Sequence, residues 1–273
     1  MLRPHPSSQL EYWFFKFNYQ DIALLVDWIA RRKIGTGQVR ISIQSPIARE
    51  VIFLDHALIL ENGPPELSMQ FTSWYEGDVR WELALETSAE RIRPQIFPAE
   101  QVKAFDLSLI SAPRVSFNGW IEHRGKHYPI NHAMGMVSHY WGRRLSDEWW
   151  WISANQFSDA DVSVECSFVR SRIWGSTIVV PIGYFYYQRG SRSILLISPP
   201  ARITVSGSQD AFQVVARSLL GRKFILDARG SEYANLGDGI VNTLNGDLQL
   251  KEGDKIVAHA KATAGLERKA SQL

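Results

Sequence analysis

Three residues of this sequence are candidates for acid–base chemistry because of their type and their neighbours. His139 lies in the stretch SHYWG, between aromatic side chains, and an imidazole can donate or accept a proton near neutral pH. His56 lies in FLDHALIL, and Glu11 opens the aromatic stretch EYWFF. Glu148 opens a similar stretch and is interpreted as an ordinary carboxylate at the start of a strand. A single histidine in a strand is more often structural than catalytic, so these candidates need support from their surroundings.

A tryptophan-rich stretch supplies the apolar walls that a ligand pocket needs. Residues 138–157 read SHYWGRRLSDEWWWISANQF and contain four of the ten tryptophans of the chain. Alternate positions of a strand share one face, so one face is predicted to carry Trp149, Trp151, Ser153, Asn155 and Phe157. Two indoles beside two small polar groups suit a pocket, in which polar groups orient the ligand. The alternative is that the indoles pack in a core between sheets and the polar groups bond to the backbone.

The sequence contains no motif for a metal or a cofactor. Its histidines do not form a tight group with carboxylate or thiolate ligands, as a zinc site would require. The GTG and GDG stretches lack the strand-to-helix context of a nucleotide-binding loop. The single cysteine, Cys166, lies in the alternating stretch DVSVECSFV and is predicted to be an inert, packed thiol.

The composition indicates a globular protein with a large core. The chain has 273 residues, 45% of them hydrophobic, and a formal net charge of +2. This balance gives no basic surface for nucleic acid, and the triplet Arg31, Arg32 and Lys33 is interpreted as a solvated turn. No apolar run reaches the roughly 18 residues of a membrane-spanning helix, and no signal peptide is recognisable. We therefore expect a cytoplasmic protein.

Alternation of apolar and polar residues dominates the chain and predicts an all-β fold. Ten stretches alternate in this way and are bounded by Gly, Pro, Asn or Asp. They are QVRISIQS, EVIFLDHALIL, DVRWELALETS, DLSLIS, DVSVECSFV, SILLIS, ARITVSG, FQVVARS, RKFILDA and KIVAHAKAT. Helical periodicity is scarce, and PAEQVKAFDLSL, residues 98–109, is a stretch that could begin with a helical turn. Many short strands separated by turns predict an antiparallel sandwich or barrel, and a closed barrel can enclose a ligand.

A weak internal repeat divides the chain into two modules. One stretch begins near residue 10 and another near residue 147, and so their starts lie 137 residues apart. Each has an acidic residue, an aromatic-rich strand, a polar break and a second apolar strand. We expect two β modules, residues 1–115 and residues 116–273, joined near SAPRVSFNGW.

The order of these aromatic, glycine and histidine residues resembles that of a known family. NGWIEHRGKHYPINHAMGMVSHYWGRRLSDEWWWISANQF, residues 118–157, resembles the central signature shared by tocopherol cyclases, carotenoid 1,2-hydratases (hydroxyneurosporene synthases) and AttH-like proteins. These are lipocalin-like proteins with two β modules. EYWFF resembles their first strand, FLDHALIL their histidine-containing strand and ATAGLERK their closing strand. The residues that fit the signature are Gly135, His139, Trp141, Gly142, Trp149, Trp151 and Asn155.

The resemblance implies two lipocalin-like antiparallel β-barrel modules packed together, and an enzyme for a large apolar substrate. Carotenoid hydratases tend to carry an acidic residue at the position of Ser138, just before His139. Hydration of an isoprenoid alkene needs a strong proton donor, so the loss of this acid puts that reaction in doubt. The same scaffold is used by cyclases of polyketide-derived polyenes, including decalin-forming Diels–Alder enzymes. Those reactions need shape and hydrogen bonds more than an acid.

These observations together predict a cofactor-independent cyclase or isomerase, pericyclase-like, for a large apolar polyene, polyketide or prenylated intermediate of natural-product biosynthesis. His139 and Glu11 are the predicted catalytic residues. The predicted substrate-binding residues are Trp13, His56, Trp141, Trp149, Trp151, Ser153 and Asn155. Three alternatives stay open: a non-catalytic carrier of an apolar ligand, an acid-catalysed isoprenoid cyclase or hydratase, and a structural β protein with an aromatic core. No cofactor, metal or nucleic acid is expected.

Overall fold

The computed structural model describes residues 2–87, 90–94, 107–158, 161–172 and 179–269. In these residues regular structure is almost entirely β-strand, and no helix among them is long and apolar enough to cross a membrane. Contacts divide the chain into two compact units, which we call the first and the second module. The first comprises Met1–Arg93 with Leu109–Arg143, and the second Pro94–Ser108 with Arg144–Leu273. The predicted all-β fold of two antiparallel modules is confirmed.

The first module is one curled antiparallel sheet of eight strands. They are β1 (Leu10–Tyr19), β2 (Ile22–Arg31), β3 (Thr36–Gln44), β4 (Arg49–Asp55), β5 (Phe71–Trp74), β6 (Val79–Thr87), β7 (Leu107–His123) and β8 (Lys126–Gly142). Their order is β4-β3-β2-β1-β8-β7-β6-β5, so the first strand of the module pairs with the last. A 3-10 turn, Arg32–Ile34, joins β2 to β3, and a short helix, α1 (Ile59–Asn62), follows β4.

The second module is an antiparallel sheet of ten strands. They are β9 (Glu148–Ala154), β10 (Val162–Arg172), β11 (Val179–Arg189), β12 (Arg192–Ser198), β13 (Arg202–Gly207), β14 (Ala211–Arg217), β15 (Lys223–Arg229), β16 (Ala234–Gly237), β17 (Ile240–Glu252) and β18 (Lys255–Lys269). Their order is β12-β11-β10-β9-β18-β17-β15-β14-β13, with β16 paired to β17. Apart from β16, the chain follows the same kind of path as in the first module, with nine strands instead of eight because the returning meander has one strand more. The internal repeat in the sequence is therefore also a repeat of topology.

Strands β1 and β9 occupy equivalent places in the two sheets. Trp13 in β1 pairs with His139 in β8, and Trp150 in β9 pairs with Arg268 in β18. Both tryptophans contact the apolar core of their own module. The shift of 137 residues (from 13 to 150) thus places Trp150 where the first module has Trp13. By the same pairing, Arg268 stands where the first module has His139.

The boundary between the modules lies later in the chain than the sequence analysis placed it. Residues 115 and 116 fall inside β7, and both β7 and β8 belong to the first sheet. Val115 and Phe117 are fully buried in the first core, which keeps this hairpin with the first module. The first compact unit therefore runs to Arg143.

All ten stretches that were predicted from alternation contain a strand, and one of these strands ends earlier than predicted. EVIFLDHALIL is a strand only as far as Asp55, and His56 follows it. The apolar residues after His56 form α1 instead, because a helical turn there buries Ile59 in the core. The helical turn considered for residues 98–109 lies outside the described residues, which resume at β7.

Aromatic side chains fill the core of the first module. Phe15, Trp28, Trp81 and Phe117 are fully buried, and their ring centroids lie 5.5–6.5 Å apart in tilted or edge-on contacts. A one-residue slip of a strand would turn such side chains out of the core. The core therefore fixes the register of β1 against β2 and β8, on which the geometry of the site depends.

The second module has its own apolar core, and Cys166 lies in it. The thiol is 2% exposed, and burial, together with the charge of Glu165, raises its pKa. A thiol with a raised pKa is a poor nucleophile at neutral pH. The prediction of a packed cysteine is confirmed.

Substitution of Gly135 tests the close approach of β8 to β1. A Cβ at this position would collide with the carbonyl oxygen of Lys16 and lie 2.6 Å from Cβ of Phe17. We expect Gly135→Ala to lower the free energy of unfolding by about 1–3 kcal/mol, because overpacking forces the backbone to move. Urea denaturation measures the change. Asn131→Ala, at an exposed position of β8, is the control and should stay within about 0.5 kcal/mol of wild type. Equal stability of the two variants would contradict this register.

Candidate functional site

The candidate site is built on two buried side chains of the first module. His139 in β8 and Glu11 in β1 are fully buried, and Nε2 of His139 lies 2.7 Å from Oε1 of Glu11. Across the two strands, Glu11 pairs with Trp141 and Trp13 pairs with His139. Alternation places all four side chains on the same face of the sheet. The structure thus brings together Glu11, Trp13, His139 and Trp141, four of the residues that the sequence singled out.

Aromatic rings enclose the imidazole of His139. The ring of Trp13 stacks on it, with 4.9 Å between centroids and 15° between planes. The ring of Trp141 is also 4.9 Å away, and that of His5 is 5.3 Å away. These rings keep water from the imidazole and hold its orientation.

The chain segment before β1 covers the site. The ring of His5 stacks flat on Trp141, at 4.1 Å and 4°, and the backbone N–H of His5 donates to Oε1 of Glu11 at 2.8 Å. The carbonyl of Leu2 accepts a 3.0 Å hydrogen bond from Nε1 of Trp13. His5 was not predicted as a site residue, because it precedes the first strand and belongs to no periodic pattern.

Arg32 neutralises the buried carboxylate. Its Nη1 donates to Oε2 of Glu11 at 2.6 Å, and its Nε donates to the carbonyl of Leu60 in α1 at 3.0 Å. The hydroxyl of Ser8 accepts from the same Nη1 at 3.2 Å and donates to Oε2 of Glu11 at 3.4 Å. The interpretation of the basic triplet as a solvated turn is therefore wrong for Arg32, whose side chain is 16% exposed. A buried carboxylate needs a cationic partner, and the 3-10 turn supplies it.

The pKa of Glu11 lies below its usual value of 4.5. Burial by itself raises this pKa, because it disfavours the charged form. The hydrogen bond and charge of His139 outweigh burial, with further hydrogen bonds from Arg32 and from the backbone of His5. Glu11 is therefore a carboxylate at neutral pH and can hold a proton of His139.

The second module pairs its first and last strands in the same way, with different residues at these places. Arg268 stands at the position of His139, and its guanidinium lies over the ring of Trp150 at 5.5 Å. Glu148, the counterpart of Glu11, forms a 3.5 Å ion pair with Arg170, which is 58% exposed. At these two positions the second module therefore has no buried Glu–His pair.

His56 has partners of its own in the first module. Its Nε2 lies 2.9 Å from Oε1 of Glu66, and its ring centroid is 6.0 Å from that of Trp74. It follows β4 rather than lying within a strand. The structure does not place His56 in the cluster around Glu11.

The remaining predicted binding residues lie in the second module. The apolar core there takes Ile152 and Ala154, so the alternate side chains of Trp149, Trp151 and Ser153 lie on the opposite face. Trp151 and Ser153 are buried on that face.

Two polar contacts fix this face of the second module. Asn155 accepts a 3.1 Å hydrogen bond from the hydroxyl of Ser153, and Nε1 of Trp149 donates to Glu267 at 2.9 Å. Phe157 was expected on the same face but joins the core, because β9 ends at Ala154 and the alternation ends with it. Trp149, Trp151 and Ser153 thus share one face, with Asn155 bonded to Ser153. Phe157 does not belong to this face.

Glu165 and Tyr184 extend this polar face and were missed from the sequence. Glu165 in β10 pairs with Ser153 and is 1% exposed. The hydroxyl of Tyr184 donates to its Oε1 at 2.6 Å, and burial and the Glu165 charge hold the pKa of Tyr184 well above its usual range. The alternation in DVSVECSFV was the available signal, since it sets Glu165 opposite the core residue Cys166.

His5, Glu11 and His139 form a group that could hold a metal ion. One ligand atom from each lies within 4.8 Å of the others, and two histidines with one carboxylate suit a divalent transition metal. Arg32, however, already neutralises Glu11 at 2.6 Å. A metal ion added here would bring positive charge that the Glu11 carboxylate, already paired with Arg32, does not balance. An unbalanced charge in a buried site is costly. The donor set therefore fits a metal poorly.

Comparison with solved structures identifies the fold. An AttH-like protein from Nitrosomonas europaea matches with a TM-score of 0.64 and 12% identity, over 98% of this chain and 94% of that one. Kievitone hydratase from Nectria haematococca gives 0.61 and 10%, over 99% and 91%. CghA, solved with Sch210972, gives 0.67 and 9%, over 97% and 89%. The chain consists of two lipocalin-like modules. No family model and no curated protein matches the sequence.

The resemblance seen in the sequence is thus confirmed at the level of the fold. The matched structures cover nearly the whole of this chain, including both modules. At 9–12% identity they share its architecture, and the geometry of the site has to be argued from this chain.

The ion pair at Glu11 should make stability depend on pH. Because its folded pKa is depressed, Glu11 contributes stability that is present above pH 4.5 and is lost as the pH falls through the lower folded value. We expect Glu11→Gln to cost about 3–5 kcal/mol near neutral pH, because it leaves the charge of Arg32 buried and unpaired. The difference from wild type should shrink below pH 4.5. Denaturant titrations over a pH series measure it.

Glu86→Gln provides the control for this titration, because Glu86 is exposed in β6. Its stability should stay within about 0.5 kcal/mol of wild type across the series. A deficit in Glu11→Gln that does not change with pH would contradict the assigned carboxylate.

Proposed function

We propose that this protein is a cofactor-independent cyclase or isomerase of a large, unsaturated, apolar molecule, with His139 and Glu11 as its catalytic residues. The observation that carries the proposal is the 2.7 Å contact between Nε2 of His139 and Oε1 of Glu11, both fully buried among aromatic rings. Burying two titratable groups is costly, and such pairs cluster where chemistry uses them.

The comparison between the two modules supports a functional reading of this pair. The second module also pairs its first strand with its last, and it has Arg268 at the position of His139. A Glu–His pair is therefore not a requirement of the module fold. The first module buries this pair together with Arg32 at a cost in stability, which is expected if the pair has a function.

Glu11 gives the imidazole a defined orientation. Because Nε2 contacts the carboxylate, Nδ1 is the nitrogen of His139 that would face the substrate in this proposal. A carboxylate partner fixes the orientation of the imidazole, as in hydrolase triads. When Nδ1 carries a proton, it would donate a hydrogen bond to a conjugated carbonyl and polarise it. The proton on Nε2 lies against the Glu11 carboxylate, so it is not available for transfer to an alkene.

The aromatic walls account for the rest of the rate enhancement in this proposal. Trp13 and Trp141 both contact the ring of His139, and in this proposal their indoles form the apolar walls against which a polyene binds. Confining a flexible chain in a reactive conformation can lower a barrier by about 7–11 kcal/mol in the best intramolecular cases. Cyclisation by shape needs no cofactor.

Acid-catalysed hydration or cyclisation is the second candidate function. A buried Glu–His pair is also suited to proton transfer, and one of the structurally similar proteins is a hydratase. The two candidates differ in whether a proton from solvent enters the product.

Substitution of His139 separates the two candidates. If the imidazole only donates a hydrogen bond, His139→Gln should keep turnover within about tenfold of wild type, because one such bond is worth on the order of 1 kcal/mol. The assay uses a conjugated polyene ketone that the wild type converts, run in deuterated water. We expect no deuterium on the carbon skeleton of the product.

A loss of about 10²–10⁴-fold in His139→Gln, with deuterium on a product carbon, would replace cyclisation by proton transfer. His127→Gln is the matched control, since His127 is exposed near the turn between β7 and β8. Its turnover should equal that of wild type.

Ligand quenching of tryptophan fluorescence tests the position of the apolar walls. A conjugated polyene should quench the wild type saturably, and Trp141→Ala should weaken its affinity about tenfold, because a stacking surface is lost. Trp151→Ala removes an indole of the second module and is compared at the same concentrations. The midpoint of saturation gives the affinity, independent of the number of tryptophans.

A loss of affinity in Trp151→Ala and none in Trp141→Ala would move the ligand to the second module. The sequence prediction for Trp149, Trp151, Ser153 and Asn155 would then hold. Unchanged affinity in both variants would favour aromatic packing alone.

A further inference from the structure

One nitrogen of Arg32 is buried without a hydrogen-bond acceptor. Nε donates to the carbonyl of Leu60, and Nη1 donates to Glu11 and to the hydroxyl of Ser8. Nη2 is buried, and no described residue supplies it with an acceptor. Buried guanidinium N–H groups are normally all paired, so one left over needs an explanation.

The position of this nitrogen associates it with the candidate site. Nη2 is bonded to the same guanidinium carbon as Nη1, whose distance to Oε2 of Glu11 is 2.6 Å. Glu11 in turn contacts His139 through its other oxygen. The unpaired donor thus belongs to a residue that contacts Glu11, and Glu11 contacts the imidazole that the proposed function uses.

A second buried donor in the first module lacks an acceptor as well. Trp28 is fully buried, and Nε1 of its indole has no partner in the part of the chain that the structure describes. Trp28 pairs with Trp13, so its side chain shares the face that carries the site. A ligand that carries an acceptor of its own would satisfy a buried donor of this kind.

The charges around Arg32 limit the chemistry of that ligand. The guanidinium charge is already balanced by Glu11. A second carboxylate bound at Nη2 would lie close to that of Glu11 and be repelled by it. A neutral carbonyl oxygen accepts the same hydrogen bond without that repulsion, and a charged donor polarises it strongly.

We propose that Arg32 is a substrate-binding residue whose Nη2 donates a hydrogen bond to a neutral carbonyl oxygen of the apolar substrate. This assignment rests on the proposed function, because it supplies the carbonyl that His139 would polarise. It narrows the substrate class to polyenes that carry a ketone, aldehyde, ester or amide. Hydrocarbons and free carboxylic acids are expected to bind more weakly.

Three matched probes test the assignment on the wild-type protein. They are the methyl ester of parinaric acid, free parinaric acid at a pH where it is ionised, and the conjugated tetraene hydrocarbon of the same length. Parinaric probes fluoresce on binding, and quenching of tryptophan follows the hydrocarbon. We expect the ester to bind at least about tenfold tighter than the hydrocarbon, since hydrogen bonds to charged groups are the stronger class. The acid should bind more weakly than the ester.

Arg32→Lys separates this hydrogen bond from the ion pair. A lysine keeps a cation for Glu11 but has no second nitrogen in a planar fork. The preference for the ester over the hydrocarbon should fall to about twofold or less, while hydrocarbon binding stays as in wild type. Arg31→Lys makes the same chemical change at the neighbouring residue, whose Nη1 bonds to Gln38, and should keep the wild-type preference.

The outcomes distinguish this assignment from the function on which it rests. Equal affinities of the wild type for ester and hydrocarbon, or an unchanged ester preference in folded Arg32→Lys, would overturn the role of Arg32 and leave the apolar site standing. If the wild type binds none of the three probes, both proposals fail. A wild type that prefers the free acid would replace the carbonyl by an anion and so also overturn the assignment.

Discussion

A carboxylate buried in an apolar interior is stable only when its charge and its lone pairs are satisfied, and Glu11 depends on this condition. Its oxygens contact the imidazole of His139, the guanidinium of Arg32, the hydroxyl of Ser8 and the backbone N–H of His5. These partners come from β8, from the 3-10 turn after β2 and from the segment before β1. Removing any one of them leaves a polar group unpaired in a dry environment, where such a group is costly. The arrangement around His139 is therefore a consequence of satisfying Glu11.

Much of the fold could be predicted from the sequence, because many of its strands alternate between apolar and polar residues and are bounded by turn-forming residues. The face of β9 that bears Trp149, Trp151 and Ser153 followed from period two alone. The internal repeat also predicts which residues of the two modules are equivalent. The offset of 137 residues aligns Trp13 with Trp150, whose side chain is turned to the core, and not with Trp149 or Trp151. The residues proposed as one binding set thus belong to two different kinds of face.

The parts that could not be predicted depend on contacts between distant segments. Glu11 and His139 were recognised through motifs, but nothing in either motif says that they touch. Arg32 reads as a member of a basic triplet, and only the turn between β2 and β3 reveals that its side chain points inward. The boundary of the first module was misplaced for a similar reason. A long hairpin is assigned to one sheet or the other by pairing of β8 with β1, which local patterns do not encode.

Pairing the first strand of the module with its last has a consequence for the way the protein is made. Glu11 and His139 are 128 residues apart in the chain, so the contact between them closes a long loop, and such closures are late and slow. While a ribosome synthesises the first module, the meander of β1 to β4 can form early, with β1 as an open edge. An open apolar edge is a risk for association with other chains until its partner arrives. That partner, β8, is the strand that delivers His139, so the nascent protein loses its exposed edge and gains its imidazole in a single event.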